Sequence, residues 1–273
     1  MIWKDAPAPD AGPIGPAGWL RILWRGAVLG LVCYGGLVLL LLLRLVERPL
    51  FGLNRPWTPY ITQGVCRAAL VILRLPLTVR GTPLDARGAV VANHSSWLDI
   101  FALNAAHRIY FVAKSEVAHW AAIGWLARAT GTAFIARKGT EAKTQQGLFE
   151  VRLRAGHRLL FFPEGTSTDA QRVLPFKSTL FAAFYSHGLD HILQIQPATV
   201  IYHPPVGADP RIYGWWGEMD FAPHLLMVLA RNRQGRVEVI FHPAVAVDTF
   251  ASRMDLAAHC VAVIRAAHPY ARE

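Results

Sequence analysis

The sequence predicts an α/β domain, a mixed and largely parallel sheet flanked by helices, carried on an N-terminal pair of hydrophobic helices. Three observations predict it. From Arg80 onward, short apolar runs alternate with longer helical patterns, as buried strands between helices require. Ahead of them, Gly26 to Leu43 is a run of eighteen residues without a charge. At 273 residues and 53% apolar, the chain can bury one substantial core beside a membrane segment, but hardly two full domains. The expected division is residues 1–79 as membrane-associated helices and residues 80–273 as the folded domain.

The first helix is bracketed by Arg25 and Arg44, and its charge-free part would be about 27 Å long, nearly a bilayer span. It follows a Pro- and Gly-rich head, Ala6 to Gly18, and no small-residue cleavage site comes after Leu43. Arg44-Leu-Val-Glu-Arg48 stands there instead, which favours an anchor over a cleaved leader. A second apolar stretch, Thr58 to Leu77, is interrupted by Arg67 and Arg74. Seven residues apart, these two share one helix face, which suits a helix lying in the membrane interface. Basic residues flank the first helix on both sides, so charge does not orient it, and a pair dipping into one leaflet stays open beside a span.

In the folded domain, Ala89–Ala92, Ile109–Ala113, Thr132–Ile135, Arg158–Phe162, Leu193–Tyr202 and Val237–Phe241 read as strands. Ser96–Asn104, Glu116–Ala129, Thr140–Ala155, Ser178–Ser186, Phe221–Asn232 and Thr249–Ala267 read as helices. Buried strands between helices suit a sheet whose strand-end loops carry chemistry. Lys and Arg outnumber Asp and Glu by 28 to 18, which favours anionic headgroups, an acidic carrier protein or nucleic acid as partners. The positives are scattered and no nucleic-acid motif occurs, so a lipid surface is the simpler partner. Cys33, Cys66 and Cys260 have no paired spacing that suggests disulfides or a zinc site, and a reducing compartment is expected.

Two loops carry candidate chemistry. The first strand runs into Asn93-His94-Ser95-Ser96-Trp97-Leu98-Asp99. A neutral imidazole held by a carboxylate can take a hydroxyl proton during attack, worth about 10²- to 10⁴-fold. His94 is thus a candidate base and Asp99 its partner. On a regular helix the two are about 140° apart, so they meet only if His94 precedes the helix. The plainer alternative is a helix start in which Ser96 caps and Asp99 favours the positive end of the dipole. The second loop, Pro163-Glu164-Gly165-Thr166-Ser167-Thr168, follows a strongly apolar strand, and its glycine, amides and hydroxyls could hold a phosphate or an oxyanion. By itself it also reads as a surface turn.

Together, His94-x-x-x-x-Asp99 and Phe162-Pro-Glu-Gly-Thr166 resemble the glycerolipid (1-acylglycerol-3-phosphate) acyltransferase family. Gly131-Thr-Ala-Phe134-Ile-Ala-Arg137 and Ile195-Gln-Pro197-Ala-Thr-Val-Ile-Tyr202 resemble its second and fourth blocks, so the likeness covers about Pro83 to Tyr202. It implies a membrane-bound enzyme that moves a fatty acyl group from acyl carrier protein or coenzyme A thioester to a lysolipid hydroxyl, without a covalent intermediate, metal or cofactor. His94 and Asp99 would be catalytic. Phe134, Arg137, Glu164, Gly165 and Thr166 would bind substrate, Pro197 would lie on a strand beneath the site, and a bacterial inner membrane with the domain on the cytoplasmic side is expected. Lys114 looks like a basic family position, although a solvated charge explains it as well.

The expected acceptor is 1-acylglycerol 3-phosphate. However, family members acting on it commonly follow Glu-Gly-Thr with arginine, where this chain has Ser167. Arg137, Arg172 or Lys177 could restore the charge. The alternative acceptor is lyso-ornithine lipid, because Ser167-Thr-Asp169 and Leu174-Pro-Phe-Lys-Ser178 look similar to acyltransferases of that pathway. A hydrolase lacks its Gly-x-Ser-x-Gly elbow here. A metal site of His94, Asp99 and His107 or His119 has no recognised spacing. A basic membrane adaptor would need no ordered blocks. The patch Tyr213-Gly-Trp215-Trp216 with Glu218 and Asp220 suits an acyl channel, the membrane interface or core packing equally, and receives no site role.

Overall fold

Helix α1 (Pro16–Phe51) begins well before the expected span and runs past it. The computed structural model describes residues 3–4, 6–9, 12–135, 142–185, 191 and 193–271. Pro16 suits a first helical turn, where the missing N–H has no partner anyway. Gly18, Ile22, Arg25, Leu29, Cys33, Leu40 and Glu47 form its buried stripe, at spacings of three, four and seven. Trp19, Leu20, Leu23, Trp24, Leu31, Leu42 and Leu45 stay exposed on the remaining surface. Helix α2 (Thr58–Ile72) returns against α1, and the two meet closely because Gly36 has no side chain. A Cβ there would come within 2.3 Å of a Val65 methyl. Glu47 locks the turn between them by accepting from the Trp57 and Thr58 amides and the Thr58 hydroxyl.

The sheet comprises β1 (Leu77–Arg80), β2 (Gly88–Ala92), β3 (Tyr110–Lys114), β4 (Ala133–Ile135), β5 (Leu159–Phe161), β6 (Gln194–His203), β7 (Arg236–Phe241) and β8 (Val245–Ala246). Its order is β1-β7-β6-β2-β5-β3-β4, with β8 also pairing β6. Pairs within β6-β2-β5-β3-β4 are parallel, β1 with β7 is parallel, and β6 with β7 and with β8 are antiparallel. This is the mixed, largely parallel sheet expected. Two short strands, β1 and β8, escaped the sequence reading. β1 begins at Leu77, the last residue of the second apolar stretch, and pairs with β7, so the boundary expected after residue 79 falls inside a strand.

Helices α3 (Leu98–Ala106) and α6 (Phe221–Ala230) join α1 and α2 on one face, while α5 (Ala142–Arg154) and α7 (Arg253–Ala267) cover the other. The strand period of two sorts the core: Val90, Leu160 and Val200 face one layer, Ala89, Val91, Leu159 and Ile195 the other. A fully buried leucine such as Leu160 contributes about 1.5–3 kcal/mol relative to an exposed one.

Three expected helices differ. Glu116–Ala129 divides into a 3₁₀ turn (Ser115–His119) and α4 (Ile123–Ala129), because Ala122 takes a left-handed φ of 62° that reverses the chain. Ser178–Tyr185 is 3₁₀ rather than α. Helix α7 starts at Arg253 instead of Thr249, since Ser252 accepts from the Met254 and Asp255 amides and caps it there.

Candidate active site

Because β2 and β5 are parallel neighbours with Val90 opposite Leu160, the loops after Ala92 and Phe161 leave the same sheet edge side by side. The two motifs therefore meet although 70 residues separate His94 from Glu164. On the other side of β2, the longer strand β6 runs past the edge and delivers Tyr202. Asn93 fixes this junction, its amide side chain donating to the Val200 carbonyl and accepting from the Val200 N–H.

His94 lies before α3, which begins at Leu98, so the loop folds back as the spacing argument requires. Its Nδ1 is 2.7 Å from Asp99 Oδ2. The same oxygen accepts from the amides of Ser95 (2.8 Å) and Ser96 (3.0 Å), and Oδ1 accepts from the Tyr202 hydroxyl (2.7 Å). All the partners of Asp99 are donors, so the His94 ring donates to it through Nδ1, which leaves Nε2 as the ring nitrogen not engaged by the carboxylate. Phe162 stacks on the imidazole at 4.0 Å and 12°, fixing the ring plane. The His94 side chain is 21% exposed and Asp99 fully buried, so the imidazole is reachable and its partner is dry. Ser96 does not cap α3. Its hydroxyl, like that of Ser95, is buried without a partner, and Asp99 serves the loop amides instead. Among the described residues, no serine thus bonds to His94 as a nucleophile would.

Glu164, expected to shape a headgroup pocket, turns inward. Oε1 accepts from the His94 N–H at 2.7 Å and Oε2 from the Leu174 N–H at 2.9 Å, and the residue is 2% exposed. Burial pushes its carboxyl up to about 8, against the downward pull of those amides. Its role is to hold one motif loop against the other. The loops are pinned again where Thr168 donates through its amide and hydroxyl to the His94 carbonyl.

Gly165 does face outward. It sits at φ +69°, and a Cβ there would lie 2.6 Å from Lys177 Nζ, so the ammonium stands directly over the turn. Thr166 accepts from the Trp3 N–H at 3.3 Å. Of the cations offered in place of the missing arginine, Arg172 is engaged: it forms a two-pronged pair with Asp169 at 3.1 Å and covers the Trp3 ring at 4.5 Å. Lys177 is exposed beside Gly165, whereas Arg137 lies outside the described residues. Phe134 is on β4, separated from β2 by β5 and β3, hence about 14 Å across the sheet from the dyad. Pro197 sits in β6 opposite Val91, between the stretches paired with β8 and with β7, where its missing N–H interrupts neither antiparallel ladder.

His107 and His119 do not join His94. His107 is buried at the end of α3, held down to about 4 by burial and the nearby Arg158 charge, and His119 ends the 3₁₀ turn. Among the described residues, no group of three or more His, Cys, Asp or Glu side chains could hold a metal ion. The tryptophan patch borders the site: the Trp215 N–H donates to the Ser95 carbonyl, and Trp216 packs on Trp3. Tyr202 and the positioning function of Glu164 are what the sequence reading missed. Tyr202 ends the fourth block, but only the pairing of β6 with β2 places its hydroxyl on Asp99.

A family model described as Acyltransferase matches residues 77–201, which span the dyad, the Glu-Gly-Thr turn and β6 as far as Ile201. A lyso-ornithine lipid O-acyltransferase of Rhodobacter capsulatus is 60% identical over 265 residues, covering 97% of this chain and 96% of that one. A 1-acyl-sn-glycerol-3-phosphate acyltransferase of Neisseria gonorrhoeae is 36% identical over 126 residues, 45% of this chain and 49% of its own. The crystal structure of the 1-acyl-sn-glycerophosphate acyltransferase PlsC from Thermotoga maritima superposes with a TM-score of 0.62 at 20% identity, over 90% of this chain and 92% of that one. With a histidine hydrogen-bonded to a buried carboxylate, and likeness extending through nearly the whole chain, this protein belongs to the acyltransferase family.

Proposed function

We propose that this acyltransferase esterifies the free hydroxyl of lyso-ornithine lipid. The observation that carries the reading is the 60% identity to a lyso-ornithine lipid O-acyltransferase across both full lengths, against 36% over less than half of each chain for the lysophosphatidate enzyme. Lysophosphatidate, the acceptor expected from the resemblance, thus gives way to the alternative. The site supports this: Ser167 offers no guanidinium, Arg172 is neutralised by Asp169, and Lys177 provides a single point charge suited to one carboxylate.

In the reaction we infer, the acceptor oxygen attacks the carbonyl of an acyl thioester while His94 Nε2 takes the hydroxyl proton. Asp99 steadies the imidazolium through Nδ1. The tetrahedral intermediate collapses with cleavage of the C–S bond, and the proton passes from His94 to the departing thiolate. Acyl carrier protein or coenzyme A supplies the thioester, since a chain of net charge +10 attracts both, and no further cofactor takes part.

The domain works from the membrane surface. Arg21 and Arg25 of α1 donate to carbonyls at the end of α6, while at the far end Arg55 donates to the Ala129 carbonyl and His157 bonds the Leu53 carbonyl. Both ends of α1 are tied to one domain, so we infer that the helix lies in one leaflet rather than crossing it, with the domain on the cytoplasmic side of the inner membrane.

The test offers lyso-ornithine lipid and lysophosphatidate separately, with labelled acyl-carrier-protein thioester, to membranes containing the wild type or His94→Ala. Transfer to lyso-ornithine lipid by the wild type alone supports the proposal. Transfer only to lysophosphatidate overturns the acceptor, and full activity of His94→Ala overturns the mechanism.

A further inference from the structure

Beside the membrane helices and apart from the dyad lies an open groove of about 510 Å³, lined by Arg67, Leu70, Val71, Arg74, Leu75 and Leu77. Its walls are mostly aliphatic, and its charges are two guanidiniums. Arg67 uses Nε on the Ala105 carbonyl, and neither arginine has an acidic partner among the described residues. Arg74 also stands within repelling reach of Arg25, which in turn repels Arg21, so positive charge accumulates here uncompensated.

The backbone adds an independent sign. Helix α2 ends in a Schellman turn, with the Leu75 N–H on the Leu70 carbonyl and the Arg74 N–H on the Val71 carbonyl. The residue at that corner takes φ 55°, the place where glycine is normally found. An arginine there is strained, and fold stability gives no reason for it. Its side chain lines a groove whose other walls are mostly aliphatic.

We propose that this groove binds the headgroup of an anionic phospholipid, with Arg67 and Arg74 on the phosphodiester and Leu70, Val71 and Leu77 against the first carbons of its chains. The occupant follows from charge and surroundings: an anion for two guanidiniums with no acidic partner among the described residues, joined to an apolar tail for the aliphatic wall. The inference rests on the in-leaflet reading of α1. The groove is a second lipid site, separate from the one where the acyl group moves.

Arg74→Gly tests it, because relief of backbone strain and loss of the guanidinium have opposite effects. Relieving the left-handed strain should raise the melting temperature of the full chain by about 2 °C. Loss of the charge should lower the preference for vesicles of mixed phosphatidylglycerol and phosphatidylcholine over pure phosphatidylcholine about five-fold, and Arg67→Gln with Arg74→Gly about thirty-fold. An unchanged preference, a lower melting temperature, or displacement from the mixed vesicles by inorganic phosphate would each overturn the assignment. Wild-type protein that binds neither vesicle would instead defeat the in-leaflet reading, so the two failures are distinguishable.

Discussion

Glu164→Gln probes the clamp between the two motif loops. The carboxyl accepts one backbone N–H on each oxygen, from His94 at 2.7 Å and Leu174 at 2.9 Å. Glutamine has one acceptor and one amide group, so whichever way it turns, an N–H meets an N–H. The loss of one buried hydrogen bond costs about 1–2 kcal/mol, which lowers the melting temperature by about 2–8 °C for a chain of this size. The size of the effect depends on pH. Burial pushes the folded-state carboxyl up to about 8, whereas the unfolded chain releases the proton near its ordinary value of about 4.3. A raised carboxyl contributes stability that is complete below the unfolded value and is lost as pH rises through the folded one, on the order of 1 kcal/mol per pH unit within that window. Glutamine has no such dependence. Thermal unfolding of the two purified proteins between pH 5 and pH 8 should therefore show the wild type ahead at pH 5, its advantage shrinking with pH and reversing before pH 8, because about 1 kcal/mol lost per unit over that range exceeds the 1–2 kcal/mol gap. A gap that is absent at pH 5, or that widens as pH rises, would refute the clamp and its buried environment together.

Tyr202→Phe removes the donor on Asp99 Oδ1 and should lower kcat about ten-fold, as expected for one hydrogen bond to a charged group, with little change in KM for the acceptor and a displaced acid limb in the pH–rate profile. An unmoved profile would make Tyr202 merely structural. Asp99→Asn keeps the side-chain shape but removes the charge beside Nδ1, so kcat should fall about 10²- to 10⁴-fold while the melting temperature drops by only a few degrees; the comparison is steady-state rates against unfolding curves. Cysteines at Ala17 and Asn54, both exposed and near opposite ends of α1, should react with a membrane-impermeant maleimide from the same side of sealed vesicles. Labelling from opposite sides would contradict the in-leaflet helix.

Much of the site is legible in the sequence because its chemistry sits in two contiguous loops after apolar strands. His94, Asp99 and the Glu164-Gly165-Thr166 turn can each be read from residue type and spacing. Their division of labour cannot. Glu164 has the same local sequence whether it faces a ligand or a neighbouring loop, and only the parallel pairing of β2 with β5 sets it under His94. Tyr202 is one more apolar-side strand residue until β6 is laid against β2. Strand β1 follows the second apolar stretch without a break in its apolar pattern, β8 has only two residues, and Ala122 breaks a helical pattern through a backbone angle that alanine does not announce. The sequence by itself determined the fold class, the hydrophobic helix pair and the histidine and carboxylate of the candidate dyad, because composition, periodicity and loop motifs are local. Tertiary structure alone decided which cations are already neutralised, which carboxylate positions and which polarises, and that both ends of α1 rest on one domain. These depend on contacts between residues far apart in the chain, which only the strand order of the sheet and the packing of helices upon it create.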